Sequence, residues 1–211
     1  MPADLTSRLR RGLSGPLPGL PAQLRMAPQP RLGWDPTEFP DGLRDGAVLL
    51  LVCHDAAGAW VPLTVRGASL RTHTGQVSLP GGSVDTGESI ETAALREASE
   101  EIGVHPASVT VLGRLTPIHI PVSGFLLHPV VGLIDERPVF QRAEREVARI
   151  IEISLTTLTD PAIIKRERRA RERAGRTIDV DVPYFDVEGE KVWGATAMVL
   201  AEFLAVLEST Q

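Results

Sequence analysis

Residues Ala47–Cys53 form an unbroken apolar run, the pattern of a strand buried on both faces. Gly58 punctuates a turn, and Trp60–Val65 predicts the next strand. The spacing then changes to a helical period over Ser89–Ile102. Ser89 is suited to cap that helix, Glu91 lies in its first turn where a carboxylate favours the dipole, and Gly103 stands just past its last periodic residue. Val109–Leu115 and Phe125–Ile134 read as strands on either side of a loop holding Pro117, Pro121 and Gly124, and Val147–Ile153 as another. Ile178, Val180, Val182 and Tyr184 alternate with polar neighbours, as in a half-exposed strand or hairpin arm. Thr196–Leu207 is a strongly apolar helix near the end of the chain. Strands dominate and the helices stand apart, so the pattern predicts a layered, mixed α/β (α+β) domain.

The first 35 residues break this pattern with Pro2, Pro16, Pro18, Pro21, Pro28 and Pro30. They are expected to form a Pro-rich N-terminal arm over 1–35 with a short helix at Asp4–Leu13, ahead of one domain over 36–211. A net charge of -5 and an aromatic content of 4% advertise no nucleic-acid partner and no base-stacking platform. The single cysteine, Cys53, cannot form an internal disulfide, which fits a reducing compartment. With no secretory leader and no apolar stretch of about 18 residues, the expectation is a cytoplasmic protein without a membrane partner.

The chemistry-bearing segment is Gly82–Val104. At about 100° per residue, Glu97, Glu100 and Glu101 share an arc of roughly 100° on the helix, while Leu95, Ala98 and Ile102 occupy a neighbouring arc that can face a core. Like charges three and four residues apart repel by tenths of a kcal/mol per pair, on the order of 0.2–0.5. A solvated acidic face is the ordinary explanation of such a stripe. Here, however, the stripe follows a Gly-rich turn, Leu79-Pro80-Gly81-Gly82, where backbone can approach an ion or phosphate closely. Hard divalent cations with oxygen ligands relieve such repulsion, magnesium taking one or two carboxylates together with substrate phosphate.

The order Gly82-x5-Glu88-x7-Arg96-Glu97-Ala98-x-Glu100-Glu101-x-Gly103-Val104 resembles the Nudix box, G-x5-E-x7-R-E-U-x-E-E-x-G-U. Every charged and glycine position matches; the aliphatic position holds the smaller Ala98. The resemblance implies a Nudix-type α/β/α sandwich with a mixed β-sheet. It also implies a hydrolase that splits a nucleoside diphosphate linked to another group, with Mg2+ or Mn2+. Carried over by position, Glu97, Glu100 and Glu101 would ligate metal with the carbonyl of Gly81, and Glu97 is the first choice as base. Arg96 would hold a catalytic carboxylate, and Glu88, with Gly82, would support the loop–helix junction. An acid outside the box is often needed, for which Glu146 and then Glu144 are candidates.

Upstream, Leu63-Thr64-Val65-Arg66-Gly67-Ala68-Ser69-Leu70-Arg71-Thr72-His73-Thr74-Gly75-Gln76-Val77-Ser78-Leu79-Pro80-Gly81-Gly82 is similar to the second signature of coenzyme A pyrophosphatases. Pro62, Gly67 and Leu79 depart from it, leaving the basic positions intact. Ser123-Gly124-Phe125, Glu146-Val147 and Val192–Ala197 are similar to the same subgroup. The implied partner is a coenzyme A-like nucleotide, with Arg66 and Arg71 making forked phosphate contacts and His73 or Gln76 adding hydrogen bonds. NADH, ADP-ribose, a damaged nucleoside triphosphate, or a non-catalytic nucleotide-binding role are the alternatives. Pro161–Arg176 carries a local net charge of +5 and is expected as a solvated, ion-paired segment, with a helix or flexible lid drawing in anionic substrate or an acidic partner surface as the alternative, and with the following strand as a possible homodimer arm. No G-x-S-x-G elbow or Walker-type loop is present in the sequence.

Overall fold

The computed structural model describes residues 2–31, 33–67, 75–173 and 175–210. Helices α1 (Pro2–Ser14) and α2 (Gly19–Gln23) precede strands β1 (Arg44–Asp55), β2 (Gly58–Arg66), β3 (Val77–Ser78) and β4 (Gly81–Ser83). Helix α3 (Ile90–Ile102) is followed by β5 (Thr110–Arg114), β6 (Ile118–Ile120), β7 (Phe125–Ile134) and β8 (Val147–Ser154). The short α4 (Leu155–Leu158), then β9 (Ile164–Arg173), β10 (Arg176–Val187) and β11 (Glu190–Trp193), lead to α5 (Gly194–Glu208).

Strand β1 is the axis of the larger sheet. It runs parallel to β7 from Arg44↔Phe125 to Cys53↔Ile134 and antiparallel to both β2 and β4. The order is β3-β2-β1-β7-β5, with β6 added to β7 and β8 to β2, so the sheet is mixed. The apolar run of β1 is buried on both faces because its side chains alternate between two layers. Ala47, Leu49, Leu51 and Cys53 meet Ala94, Ala98 and Ile102 of α3. Val48, Leu50 and Val52 join the other core, with Val199, Phe203 and Val206 of α5 and Leu9 of α1. Each leucine so buried contributes about 1.5–3 kcal/mol. The result is the α/β/α sandwich expected from the sequence. Ala98, fully buried beneath β1, supplies a small contact on that face of α3.

One expectation is corrected. The basic segment 161–176 is ion-paired as expected but is not an α-helix: after a 3-10 turn at Pro161–Ile163 most of it is β9, paired antiparallel with β10 from Ile164↔Phe185 to Arg173↔Arg176. The reason lies across the strand. Arg166 pairs with Asp181 at 2.6 Å, Lys165 binds Asp186, and Arg169 lies 4.1 Å from the centroid of the Trp193 ring. Strand β10 covers the alternating Ile178–Tyr184 stretch, with Val180, Val182 and Tyr184 buried.

The Pro-rich residues 1–35 contribute to the core. Leu9, Ala22, Met26 and Ala27 are buried, and Gln29 forms a two-way backbone bridge with Asp181. A polar staple anchors the arm. The fully buried Glu202 of α5 accepts from the Gly19 amide at 3.1 Å and the Gln23 side chain at 2.8 Å. It also accepts from the amide and hydroxyl of Thr116, the latter at 2.7 Å. Hydrogen bonds to a charged group contribute about 1.5–3 kcal/mol, so Thr116→Val should lower unfolding free energy by that amount in urea titrations. An unchanged midpoint would show that the hydroxyl does not secure the staple.

Candidate active site

Helix α3 begins where Ser89 accepts a hydrogen bond from the Thr92 amide at 3.2 Å, and it ends at Gly103, whose left-handed φ of 73° lets the chain leave the axis. Strand β4 lies between this helix and β1, with Gly81 opposite Val48 and Gly82 opposite Ala47. A methyl group on Gly81 would collide with the carbonyl of Ala47, and one on Gly82 would lie 2.5 Å from the Glu97 carboxylate. Close approach of backbone, rather than an unusual backbone angle, therefore demands glycine at Gly81, whereas at Gly82 an added methyl would push the Glu97 carboxylate aside. The Glu97 carboxylate rests directly on bare backbone.

Arg96 ties this arrangement together. Its guanidinium donates to both oxygens of Glu88, at 3.0 and 3.1 Å, and to the Ser83 carbonyl at 3.0 Å. The same group donates to Glu97 at 2.9 Å and Glu100 at 3.2 Å. Glu88 also accepts from the Asp85 amide at 3.2 Å, closing the loop ahead of the helix. These contacts hold the Glu88 carboxyl below its ordinary range, chiefly through Arg96, and raise the Arg96 guanidinium further.

Burial dominates on the other side of the stripe. It pushes the Glu97 carboxyl up, against the pull of Arg96 and with the added repulsion of Glu100 and Glu146. Glu101 is only 6% exposed, and its carboxyl is pushed up to about 7 by burial, with the Arg66 charge and a Gly81 backbone hydrogen bond opposing that rise. Its Oε2 atom and the Arg66 Nε atom are both buried without a hydrogen-bond partner. A buried, half-satisfied carboxylate next to two others, with oxygen donors only, fits a hard divalent cation. Among the described residues, no three acidic, histidine or cysteine side chains already converge as a closed ligand cage.

Glu97, Glu101, Glu146 and Arg66 are thus electrostatically coupled, and Glu100 joins them through Arg96. Glu144 turns away to Arg142 at 3.5 Å and is 83% exposed. The backbone carbonyl of Gln76 accepts from the Arg66 amide at 2.9 Å. Arg71 and His73 lie outside the described residues. Sequence reasoning did not single out Arg44, Asp45 and residues 83–87, which with Glu88 line a trough of about 400 Å³. An arginine at a strand start has no spacing signal, and only the β1–β4 pairing brings it to the loop.

Residues 43–172 match the family model of the NUDIX domain. The chain belongs to the Nudix family. It is 40% identical over 164 residues to NudL of Pectobacterium atrosepticum, an uncharacterised Nudix hydrolase, covering 74% of this chain and 79% of the relative. Against NudL of Photorhabdus laumondii the identity is 33% over 183 residues, covering 84% and 89%. A solved MutT/nudix family protein from Enterococcus faecalis superposes with a TM-score of 0.49 at 18% identity, over 81% of this chain and 65% of that one. As a Nudix hydrolase the chain is a pyrophosphatase acting on nucleotide derivatives, and Nudix hydrolases generally use divalent metal ions. Among the described residues no helix is long and apolar enough to cross a membrane.

Two outcomes follow from this Nudix site. Because folding raises the Glu101 carboxyl from about 4.5 to about 7, the metal-free protein binds an extra proton when folded. This group's share of stability is therefore present below pH 4.5 and lost as pH rises through 7, on the order of 3 kcal/mol in all. In chelator, Glu101→Gln should melt higher than the parent at pH 8 and converge with it near pH 4.5; parallel curves would refute the shift. Gly82→Ala should displace the Glu97 carboxylate and cut kcat by about a hundredfold with the fold retained. Parent-like turnover would mean that the close packing is dispensable.

Proposed function

We propose that this Nudix enzyme hydrolyses the pyrophosphate of coenzyme A or an acyl-coenzyme A, releasing adenosine 3′,5′-bisphosphate and 4′-phosphopantetheine. The supporting observation is Arg66. It stands at the end of β2 with its charge felt by Glu101, and in sequence it heads the segment carrying Arg71 and His73. Coenzyme A has a pyrophosphate and a separate 3′-phosphate, so its site calls for cations beyond those that bind the carboxylates.

In this reading Glu97, Glu100 and Glu101, with the Gly81 carbonyl, hold Mg2+ or Mn2+. A bound dication polarises phosphoryl oxygens and lowers the pKa of a water nucleophile. Arg96 keeps Glu97 and Glu100 in place while Glu88 anchors Arg96 to the loop. Glu97, set against Gly82, is the base that accepts the proton of the attacking water, and Glu146 adds an acid from outside the box. Arg66, with Arg71, His73 and Gln76, binds the phosphates of the substrate.

Three broader parts belong to the same proposal. Residues 1–35 are an arm and 36–211 the catalytic domain, a division favoured by a family match that starts at residue 43. A cytoplasmic setting suits the buried, unpaired Cys53. A homodimer belongs to the same proposal, with the strand expected as its arm lying in the β9–β10 hairpin.

Mass spectrometry of coenzyme A products formed in oxygen-18 water, with magnesium or manganese, tests the substrate. The expected result is the two named products, with label on one of them. Turnover of ADP-ribose, NADH or an oxidised nucleoside triphosphate with coenzyme A untouched would overturn it. Glu97→Gln and Glu100→Gln should each lower kcat by about a hundredfold or more with unchanged melting temperature. Undiminished rates in both would remove these residues from the chemistry, and no turnover of any nucleotide would favour a binding module instead.

A further inference from the structure

We infer that the trough between the start of β1 and the β4–α3 loop takes the nucleoside end of the substrate, with an amine-bearing base stacked on Arg44. The ligand class rests on the pyrophosphatase reading above, because the trough shares a wall with that site. Ser83 and Glu88 line it, and both are bound by the Arg96 that also holds Glu97 and Glu100.

Its two sides are joined before any ligand arrives: the Val84 amide donates to the Asp45 carbonyl at 3.0 Å. The Arg44 guanidinium carbon sits over the Phe125 ring at 4.2 Å from its centroid, and the group donates to the Ser123 carbonyl at 3.1 Å. A side chain at Gly46 would meet the Phe125 ring at 3.1 Å, so the bare backbone there gives the ring its place. Arg44 thus has Phe125 on one side and stays exposed, which leaves the guanidinium open to stacking from the other side.

Charge decides between a base and a phosphate. Asp45, Asp85 and Glu88 line the trough beside the single cation Arg44. Glu88 is already paired with Arg96, and Asp45 is bonded to His128 at 2.8 Å. With Glu88 paired to Arg96 and Asp45 to His128, the Asp85 carboxylate beside Arg44 disfavours a phosphate, while it and the remaining lone pairs of the other two can accept hydrogen bonds from an exocyclic amine or from ribose hydroxyls. The trough volume of about 400 Å³ lies within the range of small-molecule sites, about 300–1,000 Å³.

The test is isothermal titration of the full chain, with magnesium, using adenosine 5′-monophosphate, inosine 5′-monophosphate and inorganic pyrophosphate. The wild type should prefer the adenosine ligand. Arg44→Ala and Phe125→Leu should weaken it about tenfold while leaving pyrophosphate affinity in place. Arg44→Lys, which keeps the charge and loses the plane, should weaken it as Arg44→Ala does. Full rescue by lysine, equal loss for pyrophosphate, equal affinity for the adenosine and inosine ligands, or no change in either variant would each overturn the inference. Melting curves confirm that the variants fold. If coenzyme A proves not to be hydrolysed while the Arg44 effect persists, the subsite stands and the substrate assignment alone falls.

Discussion

Negative charge gathered on one helical face has to be tied down before it can be used, and Arg96 does this for α3. Its planar fork reaches the loop through Glu88 and Ser83 and the helix through Glu97 and Glu100. A lysine would offer a point charge and could not span these acceptors in one plane. Since Arg96 is 29% exposed, each of these pairs is partly screened, and their combined value lies more in geometry than in stability. With the carboxylates held, Gly82 lets Glu97 settle against the backbone, and Glu101 is left buried with an unsatisfied oxygen.

That geometry is only as firm as the strand beneath it. Strand β1 pairs with β4, β2 and β7 and buries side chains on both faces, so the glycine turn is clamped to the most enclosed element of the sheet. On the far face, α5 and the N-terminal arm complete the second core, locked by the Glu202 staple. The arm therefore supports the sheet from behind while the acidic helix works in front.

The legible parts of the sequence were those whose signal is local. The apolar run of β1 announces two-sided burial, and Ser89 and Gly103 mark the ends of α3 within a residue. The spacing of Glu88, Arg96, Glu97, Glu100 and Glu101 shows its meaning without any contact map. In the basic segment the ion pairing was legible but the strand was not, because its strand character depends on partners further along the chain: Asp181, Asp186 and Trp193 meet its basic side chains. Burial in the arm was not legible either, because widely spaced apolar residues such as Leu9 and Met26 have no obvious period and find their cover only in the fold.

By itself the sequence determined the family chemistry and the layered plan, since helix periodicity and strand alternation are properties of neighbouring residues. Only the tertiary structure decided which carboxylate is buried, that the charge of Glu146 is felt by Glu97 and Glu101 while Glu144 pairs with Arg142, and that Arg44 meets the loop before α3. Desolvation and charge coupling depend on distances between residues remote in the chain, and those distances do not exist until the sheet has closed.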